Sequence, residues 1–329
     1  MTLARTVLVA LLAVLASSTS STAQAERTRI TTASSVRLRA NPSDRSAVVA
    51  TLPLGTDLVE HATAVRPLTE TLDADNRSWV HVRTTDGRIG WVLAGLTRQT
   101  PAGQRFEAVD DLVRRRLVRP DDDFATRSEL IDFIEREQTK TAEPESAARL
   151  ALYRLQALQR ALEPLGHGYQ PGLERMKSWP RARPDLVVYN EPGGMWMLRH
   201  EAIFDQHAQH HASTVADDLA WLAVTNGLPG ECEGDTGCYL TRDNLLLGEY
   251  LRRHPQGAHV DSALTRIQKH ATLYHGLVAD PRFFKPSTDC SGMAQPLTAV
   301  RAAVVATSAS GRDRALEALD DLGHRCAGL

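Results

Sequence analysis

What this sequence lacks narrows its function first. No Gly-rich phosphate loop, no G-x-S-x-G elbow and no H-E-x-x-H pair occurs anywhere in the chain. The usual signatures of nucleotide hydrolases, serine hydrolases and zinc peptidases are therefore missing, and no cofactor is expected. Charge of one sign is also lacking. A formal net charge of −2 offers no basic face for nucleic acid, which is excluded as a partner. After the first residues, no apolar run approaches the ~20 residues needed to cross a bilayer, so no membrane span is expected in the mature chain. With 42% hydrophobic and 24% charged residues, the composition is that of an ordinary globular protein.

The start of the chain carries the clearest address. Arg5 precedes an apolar run from Thr6 to Ala16, and a Ser/Thr-rich stretch leads to Ala23-Gln24-Ala25. This is the tripartite pattern of a cleaved export signal, with small residues at the cut. Residues 1–25 are thus expected to be removed, leaving enough chain for about two domains. No cysteine lies near the cut to take a lipid anchor. The expected location is the periplasm or the medium.

From Ile30 to Thr97 the signals are those of short strands. Val36-Arg37-Leu38-Arg39 alternates in polarity, and Asn41-Pro42-Ser43 turns the chain. Val48–Leu52 and Leu58–His61 follow, then Ser78–Arg83 and Ile89–Val92, joined by Asp86-Gly87. Asp-Gly between alternating runs is a strong hairpin signal, because the tight turn needs positive φ. Five short strands in so little chain must close into a small barrel to hide their edges.

These residues resemble the bacterial SH3-like (SH3b) domain. The resemblance rests on the V-R-x-R-x-x-P opening, L-x-x-G-T, W-V-x-V and the closing D-G-R-x-G-W-V. One departure is the long segment 62–77 before Trp79. The resemblance implies an SH3-like barrel, expected over residues 26–100, and a cell-wall peptide or an envelope protein as partner. Trp79 and Trp91 offer aromatic surface for such a ligand, with Arg37, Arg39 and Arg88 as charged neighbours. The plainer reading is that both tryptophans build the barrel core.

After Gly103 the period changes to that of helices. Phe106, Val109, Leu112, Val113 and Leu117 recur at helical spacing, and Ser128 and Pro144 mark later starts. Residues 166–194 read as a loop with at most one short strand, around Leu186–Tyr189. Further helices are expected over 199–211, 215–226, 242–254, 261–276, 292–308 and 312–324. The run Tyr250-Leu251-x-x-His254-Pro255-x-Gly257 resembles a helix pair of tetratricopeptide-type envelope proteins, without a repeated 34-residue period. The expected fold class is multidomain: a small all-β SH3-like barrel, then an α-helical domain over 101–329, tetratricopeptide-like in its pairing if it is repetitive at all.

Four cysteines in an exported protein read first as disulfides. Cys232 and Cys238 bracket a short Gly-rich turn. Cys290 and Cys326 flank the outer ends of two helices that Ala309-Ser310-Gly311 would fold antiparallel. Pairings Cys232–Cys238 and Cys290–Cys326 are expected. The competing reading takes Asp289-Cys290-Ser291-Gly292 as the nucleophile motif of papain-like wall peptidases, with Cys290 heading a helix. The helical chain after it has no strands to present a base, so a non-enzymatic protein with no catalytic residue is expected. A second alternative is a metal site on the helix carrying His200, His207 and His211, which fall near one face. The plainer reading of that cluster is a solvated helix face.

Overall fold

The computed structural model describes residues 27–62, 70–101, 103–120, 122–165, 178–278 and 286–327, without the side chains of 286–289, 291, 326 and 327. Residues 1–25 lie outside it, as do residues 63–69 of the long segment before Trp79. The N-terminal part is an antiparallel sheet of β1 (Thr28–Thr31), β2 (Val36–Arg39), β3 (Val48–Leu52), β4 (Asp57–Glu60), β5 (Glu70–Leu72), β6 (Ser78–Thr84), β7 (Ile89–Leu93) and β8 (Thr97–Thr100). Strands run in the order β3-β2-β7-β6-β4-β1-β8, with β5 paired to β6. The sheet folds around Val36, Leu38, Ala50, Leu52, Leu58, Val80, Val82 and Val92. All are inward members of alternating runs, as period-2 patterning requires.

Three strands exceed the five expected: β1, β5 and β8. They are short and rich in polar residues, so their own pattern is weak; long-range pairing makes them strands. β1 lies between β4 and β8. Its Arg29 is buried and donates to Glu60 at 2.7 Å and to Glu70 of β5 at 2.6 Å.

The helices that follow are α1 (Arg105–Leu117), α2 (Phe124–Gln138), α3 (Pro144–Leu162) and α4 (Ser178–Arg181). Asp123 caps α2 by accepting from Thr126 N–H, and Glu143 caps α3 ahead of Pro144, a favoured arrangement for the first turn. Where a single strand is expected near Leu186–Tyr189, there is a hairpin of β9 (Val187–Asn190) and β10 (Met195–Leu198). Gly194 at its tip has φ +60°, and the second strand was hidden because Met195-Trp196-Met197-Leu198 does not alternate in polarity.

The remaining helices are α5 (His200–Gln209), α6 (Ala216–Asn226), α7 (Thr236–Asp243), α8 (Glu249–Arg253), α9 (Val260–Val278), α10 (Pro286–Val305) and α11 (Arg312–Ala327). A single π turn, Asn244–Gly248, joins α7 to α8. Asn244 accepts from Arg252 there, through its side chain at 2.9 Å and its backbone carbonyl at 3.1 Å. Among the described residues, no helix is long and apolar enough to cross a membrane.

The sheet is not an appendage. Leu54 and Ile30 belong to the same apolar cluster as Val109, Leu112, Val113, Phe133 and Ile134 of α1 and α2. The turn from β3 to β4 enters α2's surface. Leu54 N–H donates to Glu129 Oε1 (2.9 Å), and Leu54 C=O accepts from Arg136 (3.1 Å). Arg105 bridges Asp57 of β4 (3.0 Å) to buried Glu137 of α2. Burial would raise the Glu137 carboxyl pKa, but hydrogen bonds from Arg105 and Lys140 hold it below the usual range.

Cys232 and Cys238 are bonded, with Cα atoms 5.5 Å apart. The bridge closes the loop that Asp235 uses to cap α7, its carboxylate accepting from Gly237 and Cys238 N–H. Gly237 in turn lies against the backbone of Gly292 in α10, where a Cβ would come within 2.9 Å. Replacing both cysteines by serine is expected to lower stability by about 2 kcal/mol through the entropy of a short loop. A urea titration checks this; an unchanged midpoint would show that the cap alone holds the turn.

Candidate functional site

Alternation along β6 turns Trp79, His81 and Arg83 to the face of the sheet opposite the core residues Val80 and Val82. β7 does the same with Ile89, Trp91 and Leu93, and β2 with Arg37 and Arg39. Cross-strand register then sets Arg39 beside Trp91 and Trp91 beside His81. The His81 ring stacks on Trp91 at 4.6 Å between centroids, and His61 lies 5.3 Å beyond. His81 Nδ1–H donates to the carbonyl of His61 at 2.7 Å, which fixes the ring's tautomer and orientation. An Arg-Trp-His-His row therefore crosses the outer face of three strands.

The part of this face around Trp79, Trp91 and Arg39 is packed. Trp79 is 1% exposed, Trp91 4% and Arg39 7%. Trp79 Nε1–H donates to Asp73 Oδ2 at 2.7 Å, and Asp73 also accepts from Arg77. Burial would raise the Asp73 carboxyl, but these hydrogen bonds outweigh it and hold its pKa at about 2. Arg39 donates to the carbonyl of Ser46 at 2.6 Å. Among the five residues named from the sequence, Arg37 and Arg88 are exposed. Arg88 is paired with Asp86 at 2.5 Å, a pair that keeps Asp86 at about 2. Val48 and Val49 on edge strand β3, and Ile89 on β7, are exposed apolar residues of the sheet. His81 and His61 were missed in the sequence, although the W-V-H-V alternation already places His81 on the face of Trp79.

The other two candidate sites are arranged differently. Cys290 does not head its helix: α10 begins at Pro286, and Cys290 is disulfide-bonded and packs against the second apolar cluster. The expected partner, Cys326, has its side chain outside the described residues. Of the three histidines, His200 contacts Glu201 (3.2 Å), His211 contacts the carbonyl of Ala208 (3.0 Å), and His207 is buried against His254. Among the described residues, no three His, Cys, Asp or Glu side chains come together as a metal-holding group.

The bacterial SH3 domain family matches residues 34–98 of the chain. No curated protein matches it.

Proposed function

We propose, for a chain whose residues 34–98 are a bacterial SH3 domain, that it is an exported, non-enzymatic envelope protein in which this domain holds a cell-wall peptide or an envelope partner. Domains of this family commonly bind cell-wall material. The observation that carries the reading is the exposed edge strand β3 with its Val48 and Val49, together with the exposed Arg37 of β2 and Arg88 of the turn between β6 and β7. A peptide laid along β3, an edge of the sheet, meets unpaired backbone groups, apolar side chains and guanidinium donors for its carboxylates.

The helical part acts as the scaffold that presents the domain and meets a second partner. Supporting a role without catalysis is the bonded state of Cys290, which removes the thiolate that a cysteine hydrolase needs. The export signal in residues 1–25 and the periplasmic or secreted location complete the reading.

The test uses the chain without residues 1–25, since the sheet and helices share a core. It is expected to sediment with purified peptidoglycan, and the double variant Arg37→Glu/Arg88→Glu to lose about tenfold or more of that retention. Failure of the parent chain to sediment, or equal retention of the variant, would overturn wall binding through these residues. A thiol titration of the same native protein addresses the alternative: a reactive thiol would revive the cysteine hydrolase.

A further inference from the structure

A second place in the molecule has the chemistry of a binding site, and it uses none of the residues above. Where β8 meets α1 there is a cleft of about 300 Å³. Arg98 of the sheet and Asp111, Arg115, Arg116 and Arg119 of the helical side line it. Asp111 is the one carboxylate in the lining, and it is already shared: Arg98 pairs with it, and so does Arg115 at 2.8 Å. Four guanidinium groups thus line the cleft against one lining carboxylate, and Asp122 lies 3.8 Å from Arg116.

Arg116 is the unusual member. It is 6% exposed, and its Nε–H is buried with no hydrogen-bond partner. Its remaining contacts are long: Thr32 C=O at 3.3 Å, Ser34 Oγ at 3.5 Å and Asp122 at 3.8 Å. Burying a guanidinium with so little compensation is costly, since an ion taken from water must recover its hydration through close partners. Burial and the neighbouring charge of Arg119 both push the Arg116 pKa down, and Asp122 does not restore it. Arg119 is exposed and has no ion pair among the described residues. The adjoining hollow repeats the pattern with Arg127 and Arg160, and Arg127 Nε is likewise buried and unpartnered. Nothing in packing alone favours this arrangement, because an apolar side chain at position 116 would fill the same space without burying a charge whose Nε–H has no partner.

We propose that this cleft is a phosphate-binding site, taking a phosphate monoester or diester between Arg98, Arg115, Arg116 and Arg119. Phosphate is preferred to a carboxylate because its several oxygens can accept from three or more guanidinium forks at once. A carboxylate has two oxygens, and Asp111 already shows that one carboxylate leaves Arg116 and Arg119 unsatisfied. The site lies across the seam between sheet and helices, so a bound phosphate would tie the two parts together.

Thermal unfolding of the chain lacking residues 1–25, at constant ionic strength, tests this with two probes: inorganic phosphate, and phosphatidylglycerol vesicles against phosphatidylcholine vesicles. Millimolar phosphate is expected to raise the midpoint by a few degrees, as any ligand of the native state does, while chloride at the same ionic strength controls for screening. A response to free phosphate assigns a soluble ligand. Flotation with phosphatidylglycerol vesicles, without a response to free phosphate, assigns a lipid headgroup. Arg115→Gln/Arg119→Gln, at exposed positions that leave the core untouched, is expected to weaken either response about tenfold. Arg116→Met is expected to abolish it while leaving the unliganded protein at least as stable as the parent. No response to either probe, or the same response in Arg115→Gln/Arg119→Gln, would overturn the site.

Discussion

Replacing Gly55 by alanine is expected to destabilise the protein by about 2–4 kcal/mol and to loosen the sheet from the helices. Gly55 sits at φ +73°, and a Cβ there would overlap the ring of Phe133 in α2. Phe133 is fully buried, among Leu54, Ile30 and the residues of α1, so its ring cannot swing out to make room. Two costs combine: the left-handed backbone, which disfavours any side chain, and the forced displacement of a core aromatic. Phe133→Ala removes the obstacle and is expected to cost about 3–5 kcal/mol on its own through the cavity it leaves. The double variant should therefore be less damaged than the two single effects added, by about 1–2 kcal/mol, because each change relieves part of the other. Urea titrations give the three values. Hydrogen exchange locates the effect: in Gly55→Ala, peptides from β2, β6 and β7 should exchange ahead of those from α3 and α9. Additive costs, or a parent protein whose sheet already exchanges independently of α2, would show that the contact with Phe133 does not couple the two parts.

Acidification from pH 7 to pH 5 is expected to cost about 2 kcal/mol through His207 alone. Its ring faces that of His254, with the two Nε2 atoms 2.8 Å apart, while Arg253 approaches its Nδ1 at 3.3 Å. Arginine only donates, so Nδ1 of His207 must accept, and its proton resides on Nε2 and is given to His254. The arrangement works for neutral rings alone: a proton added to either one sets donor against donor. Burial first, then the charges of His254, Arg253 and His211, lowers the His207 pKa to about 4, with Glu249 opposing. His254 is also lowered, by burial and Arg253, against Asp217. The unfolded chain binds a proton near pH 6.5 that the folded chain refuses until about pH 4. The stability that the neutral pair contributes is present above pH 6.5 and is lost as pH falls through this window.

The carboxylates with lowered pKa values, among them Glu137 and Asp73, add their own losses only at more acid pH. The interval between pH 6.5 and 5 therefore belongs to the histidines. His207→Leu, which fills the same space without titrating, should reduce the slope there by half or more. Equal midpoints for the parent protein at pH 7 and pH 5, or an unchanged slope in the variant, would defeat the assignment. The effect matters for the architecture because α5 lies between the two helical clusters, with Phe204 touching both. A protonated pair would open that seam first.

Some of this was determined by the sequence itself, and for a local reason. The alternation in V-R-L-R, S-W-V-H-V-R and I-G-W-V records which side of each strand is buried. Asp86-Gly87 records a turn, and the residues between Cys232 and Cys238 are too few for the bridge to need anything distant. The same holds for the apolar stripes of the helices, although the start read at Ser128 lies inside α2, which Asp123 caps instead. Only tertiary structure decided what those faces meet. β1, β5 and β8 are strands because partners dozens of residues away pair with them, and the β9–β10 hairpin forms without an alternating second strand.

Trp79 and Trp91 could be named from the sequence, but their burial and the stacking of His81 depend on register across three strands. The pairing of His207 with His254 and the isolation of Arg116 belong to the same class. A histidine on a helix or an arginine in an Arg-Arg-Arg run reads as solvated surface, until packing removes the water and leaves it to find a partner. Local pattern specifies that a face will be buried. The free energy of burying charge, which sets where this protein is sensitive and where it is open to a ligand, depends on neighbours that the chain brings together only when folded.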